Sequence, residues 1–143
     1  VNVATIRWSA ACDACGATLH CSGTQAVVGD RLRWDEEHRC AGCGSTVLVC
    51  GDTLPDHLRT RMLAEHGAAR LALSDTTVRR LPILRVLRAD RGLTLPEAQT
   101  LLELMVSGRH HGTGPEIDLL ARRLRAVGVA AEAVRPHGAS GGS

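Results

Sequence analysis

The chain has no lysine, phenylalanine or tyrosine, and only two tryptophans among its 143 residues. With so few aromatic rings, the stacking platforms that single-stranded nucleic acids use are nearly absent. Hydrophobic cores must therefore be built from Leu, Val, Ile and Ala. The net charge of +2 creates no strong basic field to announce nucleic acid as the main partner. No window reaches the roughly 18 apolar residues of a membrane span. The first residues, VNVATIRW, lack the basic start and apolar run of a secretory signal. No nucleophile–base pair, paired carboxylates or phosphate-cradling glycine loop stands at an informative spacing. These absences lead to the expectation of a non-enzymatic cytoplasmic protein with no membrane contact and no small-molecule substrate. Its length allows one ordinary domain or two small ones.

Cysteine is plentiful by comparison. Cys12-Asp-Ala-Cys15-Gly16 and Cys40-Ala-Gly-Cys43-Gly44 are two knuckle units. A two-residue gap lets both thiolates of a pair reach one ion, and the following glycine permits the positive φ of a tight turn. Residues 26–34 (AVVGDRLRW) and 46–50 (TVLVC) read as strands. Two knuckles, each followed by β-structure, predict a zinc ribbon with Cys12, Cys15, Cys40 and Cys43 around one structural Zn2+. A closed set of four thiolates leaves no position for a catalytic water, so the metal should fold the module. His20 and His38 stand near the pairs, but the four thiols are better placed. Cys21 and Cys50 each follow a knuckle (CGATLHC, CGSTVLVC), a weak repeat that puts them on equivalent strands. They read as buried small hydrophobes or, alternatively, as an extra thiol pair.

Helix starts carry a recurring signature: Thr53-Leu-Pro-Asp56, Thr94-Leu-Pro-Glu97 and Thr113-Gly-Pro-Glu116. Thr caps a helix, Pro is harmless in the first turn, and the acid complements the dipole. The last two are capping boxes. Residues 69–73 alternate like a short strand, residues 74–77 read as a turn, and 107–114 (SGRHHGTG) as a loop carrying a solvated His110–His111 pair. Ile117, Leu120, Ala121, Leu124 and Val127 form a buried helical stripe, and residues 129–134 read as a closing strand. The expected organisation is a zinc ribbon (1–52), a connecting helix (53–68), a small α+β domain (69–135) and a flexible tail (136–143). The α+β domain should place three helices on one face of a short antiparallel sheet.

On a helical wheel of about 100° per residue, Ile83, Val86 and Leu87 share one sector with Asp90. Leu81 and Leu84 fall in another, with Arg80, Arg88 and Arg91. Apolar anchors ringed by cations suit an acidic partner. A wide core stripe under snorkelling arginine stems would give the same pattern.

Residues 69–134 resemble the C-terminal domain of the bacterial ribosomal stalk protein (L-seven/L-twelve). LPILRVLRADRGLTLPEAQTLLE runs without a gap along that family's V-x-V-I-K-x-V-R-x-x-T-G-L-G-L-K-E-A-K-x-L-V-E signature. The resemblance implies a β-α-α-β-α-β fold, with an additional short strand from residues 109–113, whose neighbouring helices recruit translational GTPases. It implies partner contacts at Arg80, Leu81, Leu84, Arg85, Arg88, Glu97 and Gln99. Pro96 and Gln99 replace two of the family's lysines, and a ribbon stands where the stalk protein has dimerisation helices and a hinge. The expected role is an adaptor that docks a protein partner, with RNA or the ribosome as further partners. The alternative is a zinc-ribbon regulator that binds nucleic acid, which the cation-free helix at 95–106 disfavours.

Overall fold

A computed structural model describes residues 3–74 and 80–135. The expected tail, and most of the turn expected at 74–77, lie outside the described residues. The chain is α+β. Strands β1 (Val3–Ala11), β2 (Thr18–Val28), β3 (Arg31–Cys40) and β4 (Thr46–Gly51) form an antiparallel meander in the order β1-β2-β3-β4. Residues 26–34, expected as one strand, are instead the end of β2, a turn at Gly29–Asp30, and the start of β3. Gly29 has φ 62°, which a two-residue hairpin turn requires and a side chain resists.

One face of the meander is buried. Ile6 and Trp34 pack there with Leu54, Leu58 and Met62, the last two from α1 (Asp56–His66). Gly23 lies on this face because of Trp34: a Cβ at position 23 would come within 2.1 Å of the indole Cη2. Helix α1 departs from the expected start. Pro55 is its N-cap and no side chain caps it, so Thr53 does not act as predicted. Asp56 is one methylene shorter than the glutamates of the other two signatures and closes no reciprocal box. Leu54 is meanwhile drawn into the Trp34 core.

The remaining elements are β5 (Ala69–Leu73), α2 (Arg80–Arg91), α3 (Leu95–Val106), β6 (His111–Gly112), α4 (Gly114–Ala126) and β7 (Ala131–Val134). The second sheet is antiparallel with order β6-β5-β7. Thr94 and Thr113 both close full capping boxes, with Glu97 and Glu116. The aliphatic core joins Leu71 of β5 to Ile83 and Leu87 of α2, Ala98 and Leu102 of α3, and Ile117 and Leu124 of α4. Val127, assigned to this stripe from its spacing, is exposed because α4 ends at Ala126. The short strand β6 falls in the segment read from pattern as loop, and within residues 109–113 where the stalk resemblance puts a strand.

Helix α4 also serves the meander. Thr113 Oγ1 donates a buried hydrogen bond to Gln25 Oε1 of β2. Arg123 donates to the Asp30 carbonyl at 2.7 Å, in the β2–β3 turn. Arg59 of α1 forks onto Glu116 of α4, with Nε to Oε2 at 2.9 Å and NH2 to Oε1 at 2.8 Å.

Candidate metal centre and docking face

In an antiparallel meander the first and third turns lie at the same end of the sheet. Cys12 and Cys15 occupy the β1–β2 turn, and Cys40 ends β3 with Cys43 in the β3–β4 turn that follows, so topology alone brings the pairs together. The two turns repeat one geometry. Cys12 N donates to Ala17 O and Gly16 N to Cys12 O; Cys40 N donates to Ser45 O and Gly44 N to Cys40 O. Gly16 and Gly44 have φ 74° and 73°, the left-handed conformation expected after each second cysteine.

All four Sγ atoms lie within 4.8 Å of one another. Cys12 and Cys43 are 4.0 Å apart and Cys15 and Cys40 3.4 Å. A tetrahedral ion with bonds of about 2.3 Å would set sulfurs about 3.8 Å apart, so the cluster can hold one metal ion. Backbone N–H groups of Gly42 and Cys43 point at Cys40 Sγ (3.3 and 3.4 Å), as suits a thiolate acceptor. Cys43 is drawn down to about 6 by the Ser45 hydroxyl and backbone. Cys12 is lowered by the backbone N–H groups of Cys15 and Ala14. At Cys15 the Ala17 backbone favours the thiolate, but the neighbouring thiols, Cys40 first, outweigh it and raise the group to about 11. A shared cation would relieve the opposition that Cys15 meets from its neighbours. Two supporting residues went unremarked in the sequence. Ser45 Oγ lies 3.2 Å from Cys43 Sγ, and a Cβ at Gly42 would stand 2.6 Å from Ala17 Cβ and 3.2 Å from Cys15 Sγ. The small residues around each knuckle were the available signal.

Cys21 and Cys50 do follow their knuckles onto β2 and β4, but the pleat separates them. Cys21 pairs with His38 on the buried face, whereas Cys50 pairs with Asp35 on the opposite face, beyond β3. They do not form a thiol pair. Cys21 is buried as expected, and Cys50 is exposed. Cys21, His38 and Glu36 are neighbours, and His38 Nε2 lies 2.7 Å from Glu36 Oε2. This order superficially suits a nucleophile, base and orienting acid, yet burial, and then the Glu36 charge, push the Cys21 thiol up. His20 and His38 are not part of the metal cluster.

The residues expected to contact a partner lie on α2 and α3. Leu81 is 58 % exposed, and Arg80, Arg85 and Arg88 are also on the surface. Leu84 is half-buried and packs against the aliphatic core. Arg80 is bonded to Glu103 of α3, and Arg88 Nε donates to Leu93 O at 3.4 Å. Glu97 is exposed but occupied by its capping box: its carboxylate accepts from Thr94 N at 3.0 Å. That backbone bond also holds its carboxyl below the usual range. Gln99 is exposed on α3. Another uncovered apolar surface is β4, where Val47, Leu48 and Val49 are exposed, Leu48 at 69 %. His110, expected to be solvated, is half-buried instead.

No protein-family model, curated protein or solved structure matches the chain. No helix among the described residues is long and apolar enough to cross a membrane.

Proposed function

We propose that the protein is a non-enzymatic, zinc-binding adaptor that docks a protein partner through the α2–α3 pair. The observation carrying this reading is Leu81, a large apolar side chain left in solvent at 58 % exposure with the cations Arg85 and Arg88 on the same helix. Apolar anchors within a cationic rim favour an acidic partner surface. The stalk resemblance makes a translational GTPase or another ribosome-associated factor the partner class to try first. Zinc is the metal chosen by donor type: four thiolates in a closed set suit a structural Zn2+. The uncharged edge strand β4 supplies a second contact, since an exposed apolar edge offers free backbone donors and acceptors to an added strand.

Leu84 already packs on the core, so the informative double variant is Leu81→Asp with Arg85→Glu, which leaves that packing alone. Affinity purification of a translational GTPase should lose most of its yield with this variant while zinc content and thermal unfolding stay unchanged. Undiminished recovery would remove the helix pair from the interaction.

A further inference from the structure

Where the meander, α1 and the helical half meet, they enclose a cavity of about 430 Å3. Its wall draws on β3, α1, the C-terminal end of α2, β6 and α4, so no stretch of sequence marks it. Three guanidinium groups line it, Arg59, Arg91 and Arg123, against two carboxylates, Asp90 and Glu116. Four of these five charges are committed. Arg59 forks onto Glu116, and Arg123 NH1 lies 2.8 Å from Asp90. Arg91 has no ion pair among the described residues. Beside it, His110 lines the same cavity, and its Nε2 is buried without a hydrogen-bond partner.

We infer that this cavity binds a small oxyanion, a phosphate- or carboxylate-bearing molecule held between the Arg91 guanidinium and His110 Nε2. The excess cation and the unpartnered ring nitrogen are complementary to one ligand type: an acceptor-rich anion can satisfy both, whereas a cation or an apolar ligand satisfies neither. The volume fits a small metabolite rather than a macromolecular segment. Burial, and next the Arg91 charge, hold the His110 imidazole below its usual pKa. In its Nε2–H tautomer, the one an anion at this position favours, the neutral ring turns a donor towards the ligand. A ligand seated there would touch the surroundings of both sheets and so tighten their junction.

The test is titration of the full chain with inorganic phosphate and, separately, with citrate, at constant ionic strength held with chloride. The ring C–H resonances of His110 report occupancy. At least one ion should give a saturable shift, and which one does so assigns the ligand to phosphates or to carboxylates. Arg91→Ala should weaken that binding by about tenfold or more, as loss of one charge-assisted hydrogen bond demands. Arg7→Ala, an exposed arginine on β1 outside the cavity, should leave it unchanged. Arg91 is exposed on the last turn of α2, and matched thermal unfolding of the two variants shows that any loss is local. No saturable shift with either ion, or equal affinity in Arg91→Ala, would overturn the assignment.

Discussion

The four-stranded meander and the three-stranded sheet are both antiparallel, but different chemistry holds each together. The β6-β5-β7 sheet lies under three helices that supply a continuous aliphatic core. The meander has a core only around Ile6 and Trp34, and β4 is exposed along nearly its whole length. Burial of apolar area therefore explains the helical half and does not explain where β4 lies. At that strand the ladder to β3 and the cysteine cluster at its start must do what packing does elsewhere.

Withdrawing the metal should produce the largest difference between the two halves. Structural zinc in small modules contributes on the order of 10 kcal/mol to apparent folding free energy. With chelator, amide exchange across residues 40–51 should accelerate strongly while Leu71 and Leu102 keep their protection. Uniform acceleration across both sheets would show that the halves stand or fall together. The converse perturbation is Leu102→Ala, which empties a fully buried site in the aliphatic core. It should cost about 2–5 kcal/mol in denaturant unfolding, with the metal-binding capacity of the cysteine cluster unaltered.

The smallest effect concerns the Arg59–Glu116 fork, which ties α1 on the meander to α4 on the other sheet. Burial opposes ionisation of Glu116, but the Arg59 fork and the Thr113 N–H outweigh it and leave its carboxyl below the usual range. A depressed folded-state pKa adds stability above the unfolded value of about 4.3, lost as pH falls through that value towards the folded one. Urea midpoints measured from about pH 7 down to about pH 3 should therefore fall less steeply in Glu116→Gln than in the parent. Parallel slopes would mean that the fork contributes nothing across the junction.

Local chemistry was legible in the sequence, and assembly was not. The knuckles, the two Thr–Glu capping boxes, β5, and the buried faces of α2 and α4 follow from spacing and side-chain type. The hairpin at Gly29–Asp30 was missed although Gly-Asp between two β-like runs is itself a turn signal. Thr53 failed as a cap for want of one methylene and because Leu54 has a better place in the Trp34 core. The Gln25–Thr113 bond, the Arg59–Glu116 fork and the cavity beside His110 join residues far apart in the chain, where no periodicity points. Leu84 shows the limit of a helical wheel: a residue outside the central stripe can still lean half its surface onto the core.

The meander is anchored at one end and carries its cysteines at the other. Strand β2 has 11 residues, which at roughly 3.3 Å each span about 35 Å. At one end the Asp30 turn is bonded to Arg123 of α4; at the opposite end are the knuckles. The sheet is thus a cantilever, and a force applied at the metal end is borne by the root, where Trp34, α1 and α4 converge. In the adaptor proposed above, a contact at the tip and one at the helix pair would share no side chain.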